Sequence, residues 1–522
     1  MPKVPAIPFS GRVLTEPDDV SPYLFDESSF AGHALGVVLL EDPTDTETVS
    51  KLLRACTSTG TPLTLSARRT SYTGASIPQG GWVLALPATT GLEQVHVRRE
   101  PDGSGRARSP SSAFMVDLAL AAESARAFFP PDPTSRKTCS VGGAVACNAS
   151  GARSFKYGPM GAFVEALTVV LPTGEVLQLV RGEHPPVDGA FELDLDRGRV
   201  RVPCPAPRPE GVKSALGYAT FEPPDALDLF IGSEGTLGYI SEVEVRLLPA
   251  CQVFAALAVF RDEALVYRLV SRLQQGLPGL SPMSVEFFDR RSLELAGRQF
   301  PRLAVPEDAA AALFLEEDHD AADLERLMSL YYEVLVEAGV PDLGAYLRVP
   351  SNRTEHEALR DFRHAVPEAI NATARQRGLR KLGTDLAWPR PRLSEMTETY
   401  RDVLDDVPRA LGAKVAEAFL REWGRPLPLT LDFATFGHIG DSHLHVNLLP
   451  SDACEMAAGK LLYDHLARRC VAAGGVISGE HGIGKSKRDL LTELSDPETL
   501  ETRRAIKAVL DPAGILARGN VI

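Results

Sequence analysis

A chain of 522 residues, 44% hydrophobic and 24% charged, has the length of two or three domains and the composition of an ordinary globular protein. Its net charge of −14 leaves no surplus of lysine and arginine for phosphates, which argues against a nucleic-acid binder. No run approaches the ~18 apolar residues of a membrane span, so no transmembrane segment is expected, and "MPKVPAIPFSGRV" lacks the apolar core of a signal peptide. The seven cysteines are scattered, odd in number and without C-x-x-C, so reduced thiols in a cytoplasmic protein are expected. Peripheral attachment to a membrane is left open.

Along the chain, "DPTDTETVSKLLRACTSTGTPLTLS" predicts a helix and then a strand. Val49, Leu52, Leu53 and Cys56 share one helical face; Thr44 with Glu47 resembles a capping box, and Gly60 supplies the stop. "PLTLS" and "WVLAL" predict strands on either side of "ARRTSYTGASIPQGG", a long polar loop of the kind that is functional or mobile. "RREPDGSGRARSPSS" is polar and of low complexity, which predicts a mobile insertion. "VEALTVVLPTGEVLQLV" predicts a hairpin around Pro172-Thr173-Gly174, and "YISEVEVRLLP" a strand with one buried face. From about Cys251 the strands "QVFAALAVF", "SVEFFD" and "AALFLEE" alternate with the amphipathic helices "EALVYRLVSRLQQ" and "DLERLMSLYYEVLVEAG". That texture predicts an α+β domain with an antiparallel sheet flanked by helices.

Two stretches carry chemistry. In "FATFGHIGDSHLHVNLLP", the residues after the turn Gly440-Asp441-Ser442 alternate, so His443, His445 and Asn447 share one side of a strand. The chain reversal brings His438 back toward His445. Imidazoles with a carboxylate make an open catalytic metal site, and a polar strand face of hydrogen-bonded histidines is the alternative. "GEHGIGKS" satisfies the P-loop pattern, but only 36 residues follow Ser486, too few for the rest of a nucleotide-binding sheet. Glu480 and His481 instead offer a metal-binding carboxylate and a proton-transferring imidazole.

Five ordered motifs, "PPDPTSRKTCSVGGAVACNASGARSFKYG", "IGSEGTLGYISEVEV", "FGHIGDSHLHVN", "SGEHGIGKSK" and "DPAGIL", resemble those of the FAD-linked oxidases. These are the vanillyl-alcohol-oxidase/PCMH flavoproteins, in the branch of D-lactate, glycolate and D-2-hydroxyglutarate dehydrogenases. A proline-punctuated arm is read over 1–30, and the resemblance implies a split FAD-binding domain over 31–250, a cap over 251–465 and a segment over 466–522 that returns to the FAD domain. It places Ser66, Arg69, Thr70, Ser71, Thr73, Gly74 and Ser76 around the pyrophosphate. Pro131, Asp132, Thr134, Gly142, Gly143, Asn148, Ser150, Gly151, Glu234, Gly235 and Ile240 would line the rest of the cofactor.

By the same resemblance His438, His445 and Glu480 hold a divalent metal (zinc, with iron or manganese as alternatives), and Asn447 lies beside it. His481 is then the base, while Arg363 and Lys381 bind the substrate. The implied reaction is oxidation of a D-2-hydroxy acid to the 2-oxo acid, with electrons passing to a quinone, cytochrome, flavoprotein or oxygen. The rival is a non-redox transferase of the ether-lipid synthase type, which shares the fold. Homodimerisation is left open. The chain departs from the usual pattern at Ser442 and His443, within a motif that commonly runs Gly-Asp-Gly-Asn-Leu-His, and at Arg68 and Arg69, where glycines are usual.

Overall fold

The computed structural model describes residues 9, 11–28, 30–298 and 305–522. Most of the predicted strands and helices are present, organised by three larger sheets beside a two-stranded ribbon, Ala190–Leu195 with Gly198–Pro203. The first has four strands: Gly36–Leu39, Trp82–Ala85 and Leu63–Ser66 run parallel, and Arg12–Leu14 closes one edge antiparallel. Helix Thr46–Thr59 feeds it, burying Val49, Leu52, Leu53 and Cys56 as its periodicity predicts. The cap differs from the expected Thr44 box. Asp45 is the N-cap, accepting from Thr48 N at 3.0 Å, because Thr44 is instead turned onto Asp42 by hydrogen bonds from its amide and hydroxyl. Gly60 ends the helix at φ 63°.

The second sheet has six strands, with Tyr239–Pro249 between Gly105–Pro110 and Val164–Val170. Here the expected mobile insertion is overturned. His96–Arg99 and Gly105–Pro110 form an antiparallel hairpin inside this sheet. Gly105, Ala107 and Ser109 alternate inward, while Arg106 and Arg108 reach across to Glu244 and Glu242 at 3.0 and 2.6 Å. Cross-strand charge pairing lets so polar a sequence hold a strand.

The third sheet is antiparallel and has seven strands. In spatial order they are Leu347–Arg348, Gln252–Phe260, Ala311–His319, Ser284–Asp289, Phe433–His438, His443–Leu448 and Leu382–Gly383. Phe260, Phe287, Phe288 and Phe314 in it are at most 1% exposed, each stabilising the core by about 1.5–3 kcal/mol. After helix Ala453–Ala472 the chain runs back to the first sheet. Leu63 N donates to Ile515 O and Ala517 N to Leu63 O, both at 2.9 Å, and Ile515 and Leu516 pack into one apolar cluster with Leu52 and Trp82. The α+β architecture expected from the sequence is thus present. Among the described residues no helix is long and apolar enough to cross a membrane, and the seven cysteines are all free.

Candidate functional site

The hairpin Phe433–His438/His443–Leu448 lies near one edge of the third sheet, with all six residues of its second strand buried. Ser442 makes the turn at φ 51°, a left-handed conformation that costs a non-glycine residue about 1–2 kcal/mol. Its Oγ accepts from Gln274 Nε2 at 2.9 Å, which offsets part of that cost. The turn sets His438 opposite His443, and both strands present their imidazoles toward Glu480. His438 Nε2 lies 3.0 Å from Glu480 Oε2, and His445 Nε2 lies 3.1 Å from Glu480 Oε1.

The other ring nitrogens determine what those contacts mean. His445 Nδ1 is 3.0 Å from the carbonyl of Thr384 and His438 Nδ1 is 2.5 Å from Glu286 Oε1, and both partners are acceptors. Each Nδ1 therefore carries the hydrogen, which leaves each Nε2 with a lone pair facing a carboxylate oxygen. Two acceptors that close require a cation between them, either a proton or a metal. Burial opposes charging His438, but the Glu286 carboxylate outweighs it and the imidazole is pushed up to about 9. Ligand atoms around zinc, with bonds of about 2.0–2.1 Å, stand about 3.3 Å apart, close to the separations found here. The donor set fits a divalent metal. Lys213, 2% exposed, puts its ammonium 3.0 Å from Glu480 Oε2 and balances the buried carboxylate.

His481 stacks on His445, with ring centroids 5.2 Å apart and planes 12° from parallel. Its Nε2 is 3.6 Å from Glu480 Oε1 and its Nδ1 is 3.7 Å from Asp385 Oδ2. Burial pushes this imidazole down to about 4 against the opposing charges of Asp385 and Glu480, so it is a free base at neutral pH. Asp385 is a hub that the sequence motifs do not mark. Its carboxylate accepts from the main-chain N–H of Glu480 and of His481 at 3.0 Å each, from Ser478 Oγ at 2.7 Å, from Lys487 Nζ at 2.6 Å and from His443 Nε2 at 3.0 Å. No P-loop cradle forms: Lys485 Nζ donates to the Gly74 carbonyl at 3.1 Å, and helix Arg488–Leu494 starts beyond the motif.

Arg363 lies on helix Arg353–Gln376, 5% exposed, with Nε donating to Glu286 Oε2 at 3.1 Å and Nη1 3.7 Å from Asp132 Oδ2. That Nη1 is buried without a hydrogen-bond partner. Glu286 therefore links Arg363 to His438, a role the sequence motifs also miss. Lys381 is half-buried. Its Nζ donates to Asn447 Oδ1 at 2.8 Å, and burial pushes it down to about 8. Asn447 spends its amide nitrogen on the carbonyls of His445 and Ala434, at 2.9 and 3.2 Å.

Of the residues expected to line FAD, several are held by the protein itself. Asn148 accepts from Gly161 N at 2.9 Å and donates to Ser214 O at 3.0 Å. Both oxygens of Glu234 accept from Ile483 N and Gly484 N, at 2.6 and 2.7 Å, and Gly235 beside it has φ 73°. A Cβ on Gly142 or Gly151 would lie 2.4 Å from Ser111 or 2.0 Å from the Asp132 carbonyl, so those glycines permit chain-to-chain contact. Asp132 sits among four arginines, Ile240 faces the core, Pro131 is buried and Thr134 is exposed. Gly143 donates its N–H to Ser140 Oγ at 3.2 Å, and Thr73, with Ser71 and Gly74, packs against the 481–486 segment.

Other groups remain free for a ligand. The hydroxyls of Ser66 and Ser150 are buried without partners. Arg68 stacks on Phe114 and Arg69 on Tyr23, at 5.0 and 4.8 Å, and neither makes an ion pair among the described residues. Orphan hydroxyls and two unneutralised guanidiniums suit a diphosphate. The sequence-derived set thus divides. His438, His445, Glu480 and His481 converge, Arg363 joins them through Glu286, and Lys381 and Asn447 form a separate pair.

Comparison with known proteins gives the family. The chain matches the family model of FAD linked oxidases, C-terminal domain, over residues 251–521, and that of an FAD binding domain over 39–179. It is 29% identical to a D-lactate dehydrogenase of Anaerostipes hadrus over 98% of this chain and 94% of that protein. It is 26% identical to glycolate oxidase subunit GlcD of Bacillus subtilis (strain 168), over 92% of this chain and 87% of the relative. Among solved structures, an alkyldihydroxyacetonephosphate synthase superposes with TM-score 0.61 at 13% identity, over 97% of this chain and 81% of the synthase, a likeness of fold alone. The C-terminal family model alone accounts for more than half of the chain, and with the FAD binding domain it identifies the protein as a member of the FAD linked oxidases, an FAD-binding oxidoreductase.

Proposed function

We propose that the chain is an FAD-dependent dehydrogenase that oxidises a D-2-hydroxy acid, of the D-lactate, glycolate or D-2-hydroxyglutarate type, to the 2-oxo acid. The observation that carries this reading is the convergence of His438 Nε2 and His445 Nε2 on the Glu480 carboxylate, at 3.0 and 3.1 Å, beside His481 stacked on His445. The names of the relatives, D-lactate dehydrogenase and glycolate oxidase, supply the substrate class.

His438, His445 and Glu480 would hold a divalent metal, zinc in the first instance, which supplies Lewis acidity at the substrate hydroxyl when bound. The Ser66–Ser76 loop and the 131–151 segment would hold FAD, which would supply the hydride acceptor. His481 takes the hydroxyl proton at Nε2, the edge turned toward Glu480. Asp385 holds that ring's main chain, so the base does not drift. Arg363, steadied by Glu286 at Nε, offers the substrate carboxylate its Nη1, which faces Asp132 at 3.7 Å and makes no hydrogen bond. Lys381, hydrogen-bonded to the neutral amide of Asn447, offers a second cation.

The test is anaerobic mixing of the purified yellow protein with matched D- and L-2-hydroxy acids. Bleaching of the flavin by D-enantiomers alone is expected; bleaching by none, or by L-enantiomers alone, contradicts the reading. The likeness to the synthase shows fold only and does not favour transferase chemistry.

A further inference from the structure

His443 stands where the resembling family commonly carries asparagine, and its surroundings are those of a ligand. The side chain is 0% exposed. One of its ring nitrogens lies within 4.8 Å of the ligand atoms that His438, His445 and Glu480 offer. Its ring centroid is 4.7 Å from that of His445 and 5.6 Å from that of His438.

The hydrogen-bond arithmetic is specific. Nε2 is 3.0 Å from Asp385 Oδ1, and that carboxylate also faces Lys487 Nζ at 2.6 Å and two main-chain N–H groups at 3.0 Å. A carboxylate so surrounded by donors, with Glu480 N on the same Oδ1 and Lys487 Nζ and His481 N on Oδ2, is an acceptor, so Nε2 of His443 carries the hydrogen and donates. Nδ1 then holds a bare lone pair, and it is buried with no hydrogen-bond partner. Leaving such a group unsatisfied costs about 1–3 kcal/mol. A ligating histidine is commonly oriented by a carboxylate on its other nitrogen, and the Asp385–His443 pair is that arrangement.

We propose that His443 is a fourth protein donor to the metal site, so that this chain surrounds the ion with three imidazoles and one carboxylate instead of two and one. The inference rests on the metal-site reading above and deepens it. Three nitrogens shift the preference toward borderline ions such as zinc or ferrous iron and away from magnesium or calcium. With four protein donors, the site would still leave room for the substrate hydroxyl, since catalytic zinc sites can expand to five ligands. The competing explanation is packing alone: a Cβ on Gly479 would meet the His443 ring at 2.7 Å, so the ring also fills space beneath the Glu480 turn.

The deciding experiment loads the purified FAD holoenzyme with zinc and counts imidazoles by X-ray absorption, with zinc affinity measured against a chromophoric chelator. His443→Gln keeps an amide N–H for Asp385 and removes the Nδ1 donor. Three imidazoles in the wild type, two in H443Q, and an affinity loss beyond the ~10–100-fold that losing an outer partner costs would establish the donor. Two imidazoles in the wild type with unchanged affinity in H443Q overturn it and leave the three-ligand site standing. A wild type that takes up no metal overturns both readings, and the stoichiometry distinguishes that case. Should H443Q fail to fold, His443→Asn, the residue relatives commonly carry there, gives the same imidazole count to read.

Discussion

The carboxylate of Asp385 accepts a hydrogen bond from the main-chain N–H of His481 at 3.0 Å, and its other oxygen accepts from that of Glu480 at the same distance. One side chain from the segment after Leu382–Gly383 thus fixes the two residues of the C-terminal segment to which the proposed chemistry assigns a metal ligand and a base. Asp385→Ala removes both anchors and leaves Lys487 buried and unpaired, which costs about 3–5 kcal/mol. A thermal melt is expected to show that loss. Asp385→Asn, which keeps one acceptor oxygen, is expected to melt closer to wild type while flavin reduction by substrate slows at least tenfold. Unchanged reduction in D385N would remove Asp385 from the positioning of His481.

His481→Ala is expected to slow substrate-driven flavin reduction by about 10²–10⁴-fold, the usual contribution of a positioned general base. FAD content should be unchanged, because the buried hydroxyls of Ser66 and Ser150 make no hydrogen bond to His481. The His481 imidazole is held at about 4, so the base is deprotonated throughout the neutral range. The rate limb due to this base should therefore fall only as pH drops through about 4, as a stopped-flow pH series would read.

Glu286→Gln breaks the link between His438 Nδ1 and Arg363 Nε. Metal affinity is expected to fall about 10–100-fold, as for other carboxylates behind ligating histidines. KM for the hydroxy acid should rise in the same variant, because Arg363 loses its fixed orientation. Metal titration and initial-rate kinetics on one preparation read both effects, and a change in neither would show that the contact is structural.

Acid should attack the molecule at the arginine cluster between the first two sheets and the third. Burial alone would raise the carboxyl of Asp132, but Arg153, Arg136, Arg360 and Arg363 outweigh it and hold it well below its usual range. Glu316 is lowered for the same reason, by Arg153 and Arg360. A carboxylate lowered on folding contributes stability that is present above its unfolded value and lost as pH falls through the folded one. Stability should therefore drop steeply below about pH 4. In Asp132→Asn the melting temperature should be lower at neutral pH and depend less on pH in that acid range, as a series of melts would show.

Local periodicity made much of the site legible. Alternation along 443–448 fixed which side chains share a face, and the turn before it brought His438 back. Asp385, Glu286 and Lys213 were not legible, because each reaches the cluster from a segment that only tertiary pairing brings near. Glu286 had a signal: a carboxylate inside the apolar run Ser284–Asp289 is expensive to bury unless paired, and it is paired. Lys213 lies in an aperiodic loop and had none. The hairpin within residues 96–110 was missed for a related reason, since its arginines find their carboxylates on a strand more than a hundred residues later.

Metal dependence of flavin bleaching is the most direct trial of the whole account. The purified protein, mixed anaerobically with the hydroxy acid that reduces it fastest, is expected to lose its yellow colour, to stop doing so after chelator treatment with FAD still bound, and to recover when zinc is restored. Bleaching at full rate by protein shown by elemental analysis to be free of metal would contradict it.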